Sequence, residues 1–155
     1  MSQRNDVAEE AVRNFLKGYN CAQSVLLTIA SHNKLKNTLI PKIATGFGSG
    51  ISRCGSVCGA LTGGVMATGM KYGTNKPSQE ERAKCYELAH ELYTKFAQRH
   101  GTVLCKELIG YDLSITEELD KAKSEKVFEK KCPDFVRTVA QILMDFDAKN
   151  KPPHQ

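Results

Sequence analysis

The sequence predicts an all-α protein, a single-domain bundle of five to seven helices with a central glycine-rich helix. Three observations carry this reading. Apolar residues recur at one-turn spacing along most of the chain, no run alternates apolar with polar as a half-buried strand would, and several segments open on helix-capping residues. The chain has 155 residues, 41% hydrophobic and 25% charged, which suffices for one core. No internal repeat divides it. The domain is expected to span residues 1–148, with 149–155, which holds Pro152 and Pro153, as a flexible tail.

Each element follows from its own signals. Val7, Ala8, Ala11, Val12, Phe15 and Leu16 form one face of a first helix, which Gly18-Tyr19-Asn20 interrupts. Asn20 is a good N-cap for a second helix from Cys21 through Val25, Leu26 and Ile29 to about His32. A polar loop follows, and Pro41 suits the first turn of a short helix carrying Ile43, Ala44 and Phe47. The glycine-rich connection Gly46 to Gly55 leads into a helix from near Ser56 to Lys71. There Gly55, Gly59 and Gly63 are spaced four apart. Glycine costs an exposed helix about 1 kcal/mol per site, so three on one face imply that another backbone or a cofactor comes close. Ser78 and Glu81 read as a capping box after Pro77, opening a helix with Cys85, Leu88, Leu92 and Phe96 on one side. Thr102 is expected to cap a short turn containing Cys105, Leu108 and Ile109. Ser114 and Glu117 open a charged helix. Cys132-Pro133-Asp134 is expected to open the last one, whose apolar face includes Phe135, Val139, Leu143 and Phe146.

Composition excludes several classes. The net charge is +5, from 22 Lys+Arg against 17 Asp+Glu. This is too mild and scattered for nucleic acid, and no basic stripe is interleaved with aromatics. The longest uncharged stretch, Gly55 to Met70, is too short and too rich in glycine and threonine to span a bilayer. The N-terminal residues lack the apolar core of a signal peptide, so a cytoplasmic location is expected. Six cysteines in that compartment stay reduced and serve metal binding or redox chemistry rather than static cross-links.

Four of those cysteines fall at or near predicted helix N-termini: Cys21 after the Asn20 cap, Cys58 after Ser56, Cys105 after Thr102, and Cys132 as an N-cap before Pro133. Unpaired N–H groups and a partial positive charge at a helix start favour thiolate over thiol. No two of the six form a Cys-x-x-Cys pair, so any site must be assembled by tertiary folding. Four thiolates at one point suit a tetrahedral zinc or an iron–sulfur cluster. Two at a time suit a reversible disulfide.

Cys58-Gly59-Ala60-Leu61-Thr62-Gly63 resembles the CGAxxG motif of the redox-active family C_GCAxxG_C_C. Gly18-Tyr19-Asn20-Cys21-Ala22-Gln23-Ser24-Val25 is similar to that family's first cysteine segment. Cys105 to Gly110 with Tyr111-Asp112-Leu113 resembles the third, and Cys132-Pro133 with Phe135-Val136 the fourth. The likeness runs over roughly residues 15–145. It implies that Cys21, Cys58, Cys105 and Cys132 are the defining, redox-active positions, and it extends to a domain of certain haem-containing electron-transfer proteins of anaerobes. With no Cys-x-x-Cys-His, this chain has no c-type haem attachment of its own.

The first expectation is therefore a small electron-transfer protein. It holds an iron–sulfur cluster, [2Fe–2S] in type, through Cys21, Cys58, Cys105 and Cys132, and exchanges electrons with a redox partner protein. Zinc would substitute in protein handled in air. The alternatives are a metal-free thiol–disulfide oxidoreductase or sensor, in which Cys58 pairs with Cys54 or Cys132, and a structural zinc scaffold. Cys54, one turn before Cys58 and beside Arg53, is a candidate fifth thiol. Cys85 reads as core packing. Gly46-x-Gly48-x-Gly50 has neither a preceding strand nor dinucleotide-fingerprint spacing, so it reads as a loop passing close to the thiols. Tyr19, His32, His90, His100 and His154 read as packing or surface residues, and the Lys/Glu run from Glu117 to Lys131 as a solvated face. The small-residue face of the glycine helix suits a second copy of the chain, a homodimer, as well as its own neighbours.

Overall fold

The computed structural model describes residues 2–151, and among them eight α-helical segments and no strand. Six are long: α1 (Gln3–Leu16), α2 (Cys21–His32), α4 (Gly59–Tyr72), α5 (Gln79–His100), α7 (Thr116–Ser124) and α8 (Val127–Lys149). Two are single turns, α3 (Gly48–Ile51) and α6 (Cys105–Ile109), and a 3-10 segment covers Lys42–Phe47. The two single turns carry the count past the expected seven. Residues 152–155, which hold most of the expected tail and His154, lie outside the described residues.

The glycine-rich helix α4 is central, packing on α2, α5 and α8, while α1 lies along α8. A Cβ on Gly63 would come 2.5 Å from the Ala22 carbonyl oxygen, so α2 and α4 meet backbone to backbone. The core between them is closed by Leu26, Leu61, Leu92, Phe96, Val139 and Phe146, all essentially without exposure. No helix among the described residues is long and apolar enough to cross a membrane.

The local signals decide most helix starts. Asn20 caps α2 through a reciprocal pair: its side chain accepts from the Gln23 N–H at 2.9 Å, and its own N–H donates to Gln23 Oε1 at 3.1 Å. Ser78 caps α5, but Glu81 turns away to accept from Thr74 Oγ1. Two expected starts move. The glycine helix begins at Gly59, not near Ser56, so Gly55 sits in the preceding loop with φ +66° rather than on the helix face. The last helix begins at Val127, and Cys132-Pro133 lies inside it. Pro133 forfeits one N–H. Phe128, Cys132 and Phe135, at i, i+4 and i+7, keep one face pointed inward, and their burial outweighs the lost bond.

Candidate functional site

The four motif cysteines, far apart in sequence, line one cavity of about 180 Å³. Cys21 is the first residue of α2 and Cys58 the N-cap of α4, with Cys105 the first residue of α6. Cys132 arrives from the second turn of α8. Three of the four thus stand at helix starts as the sequence implied. The fourth does not, for the reason just given.

Backbone pairing brings the two central loops together. The Cys58 N–H donates to the Val103 carbonyl at 2.8 Å, and the Cys105 N–H to the Ser56 carbonyl at 2.7 Å. These flank an isolated antiparallel bridge between Val57 and Leu104. Two cysteine segments 47 residues apart are thereby held side by side.

A second device is a turn of the wrong hand. Ser49, Gly50, Ile51, Ser52 and Arg53 all have positive φ, from +49° to +73°. Left-handed backbone costs a non-glycine residue roughly 1–2 kcal/mol, so this turn exists only because its surroundings hold it. It is wedged between two of the thiols. The Ser49 N–H faces the Cys21 sulfur, and a Cβ on Gly50 would lie 2.6 Å from Cys105 Cβ. Gly59 completes the fit, since a Cβ there would stand 2.4 Å from Cys21 Sγ. The glycine loop therefore does pass beside the thiols.

The rest of the lining is mostly hydrocarbon: Phe15, Leu108, Ile109, Leu119, Phe128 and Phe135. Asn20, Ser49, Arg53 and Lys123 are its polar members. Burial is the first influence on every motif thiol and pushes all four pKa values up, Cys105 to about 12. The thiols also act on one another. Charge on Cys21 raises Cys58, Cys105 and Cys132, so the four form one electrostatic group. The helix-end effect is present too. N–H groups of Ala22 and Ala60 favour the Cys21 thiolate, and those of Ala60 and Leu61 the Cys58 thiolate. It is outweighed by desolvation, which corrects the expectation of thiols poised as anions.

Among the described residues no three Cys, His, Asp or Glu side chains stand close enough to hold one metal ion. A single tetrahedral zinc with ligands at 2.3 Å needs sulfurs about 3.8 Å apart. The four thiols line the cavity without closing on one point. Cys54 is exposed in its loop, and Cys85 is half-buried on α5; neither lines the cavity, and Cys85 stands apart from the core cluster. Tyr19 is 38% exposed and also lies outside the lining. His100 packs against Phe96 and Phe135 and bonds Thr138 Oγ1 at 3.0 Å, while His90 is exposed. The sequence reading missed Ser49, Arg53 and Lys123. The signal for Lys123 was hidden in a charge run, and no local pattern announces a left-handed turn.

A family model described as "Putative redox-active protein (C_GCAxxG_C_C)" matches residues 19–146. An uncharacterized protein of Archaeoglobus fulgidus is 27% identical over 133 residues, covering 81% of this chain and 82% of its own. No solved structure matches.

Proposed function

The chain belongs to the C_GCAxxG_C_C family, whose description is redox activity, and from that premise we propose that it carries an iron–sulfur cluster on Cys21, Cys58, Cys105 and Cys132 and exchanges single electrons with a redox partner protein. One observation supports this above the others: four cysteines from four helices share one apolar cavity that opposes their ionisation. Four thiolates there repel one another, and only a cationic group among them offsets both the repulsion and the desolvation. A bound cluster supplies that charge and a one-electron couple. The chain's own part is to fix the four sulfurs and aim the N–H groups of Ser49, Ala60 and Leu61 at them, which raises a cluster's potential.

The alternatives fare less well on the same geometry. Thiol–disulfide exchange needs thiolate, and burial pushes the Cys58 and Cys132 thiols well up, so they offer little of it at neutral pH. Structural zinc usually takes at least one close cysteine pair, and the motif cysteines are 27 or more residues apart.

The test is anaerobic purification or reconstitution, with a visible spectrum and iron and sulfide assays. The expected result is coloured protein with about two irons and two sulfides per chain, lost in Cys58→Ser and kept in Cys85→Ser. Colourless protein without iron overturns the reading. In that case one bound zinc supports the scaffold, and two thiols lost on mild oxidation support the disulfide.

A further inference from the structure

The charged side chains lining the cavity are Arg53 and Lys123, both cations. Among the described residues neither has a carboxylate within ion-pair distance. Some surface cations are matched, Arg4 with Asp145, Lys71 with Asp147 and Arg137 with Glu9, and others are not; what sets Arg53 and Lys123 apart is that they line the cysteine cavity. Two more lysines lie near these residues. The Lys106 stem covers Gly55, two residues from Arg53, and Lys131 Nζ donates to the carbonyl of Ile109, a lining residue. Acids lie close by as well: the Lys106 charge acts on Asp112, Glu107 accepts from Thr102 Oγ1, and Glu129 acts on Cys132, but no carboxylate is among the residues that line the cavity.

We propose that Arg53, Lys123, Lys106 and Lys131 form the docking rim for an acidic one-electron carrier protein, which meets this chain over the mouth of the cysteine cavity. This rests on the cluster reading, since it names the partner of that same site. Exposed charge beyond about 8 Å from a partner is screened at physiological salt, so the rim contributes mainly to close approach and orientation. A cluster bound by four thiolates is itself anionic, and the rim keeps its negative charge from repelling an acidic surface. The transfer makes and breaks no bond. One electron leaves the reduced cluster and arrives at the oxidised centre of the carrier.

The probe is a fluorescein-labelled poly-glutamate, titrated by anisotropy onto the full chain, both metal-free and anaerobically reconstituted. The decisive comparison is Arg53→Glu/Lys123→Glu against Lys34→Glu/Lys36→Glu, which makes the same charge change on an exposed loop away from the cavity. The rim reversal should weaken binding about tenfold and the control less than about twofold, with salt abolishing both signals. Arg53→Gln/Lys123→Gln gives an intermediate loss and guards against a misfolded reversal. Equal weakening by the two reversals, or no binding to the unaltered chain, overturns the rim. Absence of iron in the reconstituted protein overturns the cluster reading instead, and leaves the peptide result to decide the surface on its own.

Discussion

The two ends of this bundle are built on opposite terms. Where α4, α5 and α8 cross, side chains interlock: a Cβ on Gly64 would strike Val139 and Leu92 at 2.5 and 2.9 Å. Ion pairs tie α1 to α8 along their flank, Arg4 to Asp145 and Glu9 to Arg137. At the cysteine end the backbone runs left-handed for five residues, two loops are held by a short bridge, a cavity stays open among aromatic rings, and two cations line it with no carboxylate beside them in the lining. Packing at one end supplies the stability that keeps a strained, hollow arrangement at the other. The two ends should therefore respond differently to the same kind of perturbation.

The largest effect is expected in the packed end. Leu92 is wholly buried, and Leu92→Ala should cost about 2–5 kcal/mol in chemical denaturation. Iron bound per folded chain should stay unchanged at low temperature. If iron binding fell in step with stability, the two ends would be one cooperative unit and the contrast would dissolve.

Next comes a dependence on pH that only the cysteine end can produce. Cys105 is raised from an ordinary 9.0 to about 12 in the fold. Below pH 9 both folded and unfolded chains keep the proton, and the contribution is intact. Between pH 9 and about 12 the unfolded chain ionises first, so metal-free, reduced protein loses about 1.4 kcal/mol per pH unit for each such thiol. Denaturation series for the unaltered chain and Cys105→Ser should diverge in slope across that window. Parallel slopes would mean that the thiol is solvated.

How much of this could be read from the residues divides along the same line. The packed end was legible: apolar spacing and the Asn20 and Ser78 caps place α1, α2 and α5 because local chemistry decides them. At the cysteine end, the convergence of the four cysteines and the glycine loop passing beside them were legible, and the backbone geometry that holds them was not. The bridge between Val57 and Leu104 and the turn at Ser49–Arg53 are set by tertiary contacts, which no local periodicity records. Pro133 misled because a proline usually marks a helix start. The stripe Phe128–Cys132–Phe135 was the contrary signal, masked by the lysines and glutamates between. Helix-end placement correctly gave the direction of one electrostatic influence but not its rank against burial, which depends on the cavity walls.

Within α4 itself, two glycines sharpen the contrast. Gly69 has open space where a Cβ would go, so Gly69→Ala should stabilise the fold by about 0.5–1 kcal/mol through helix propensity. Gly59 has the Cys21 sulfur 2.4 Å away and the Phe47 carbonyl at 2.9 Å. Gly59→Ala should cost about 1–3 kcal/mol by overpacking and abolish iron loading by displacing Cys21. Retained loading in Gly59→Ala would show that the sulfur tolerates another position, and that the close fit is incidental.

The smallest effect belongs to the charges. Arg137 holds the Glu9 carboxyl below its usual range by a hydrogen-bonded pair at 2.5 Å, with both side chains partly exposed. Solvent screens such a pair, so Arg137→Ala should cost no more than about 1 kcal/mol. The sign is fixed by Glu9. Its lowered pKa makes the contribution present above the ordinary carboxylate pKa and lost as pH falls through the folded value. The difference between Arg137→Ala and the unaltered chain should accordingly shrink in acid. Arg53→Gln, which breaks no ion pair among the described residues, should show no such shrinkage. It should leave stability within about 0.5 kcal/mol while weakening the poly-glutamate complex. A substantial, pH-dependent loss of stability in Arg53→Gln would mean that this cation serves the fold after all, and the unmatched rim would then belong with the paired surface it is contrasted with.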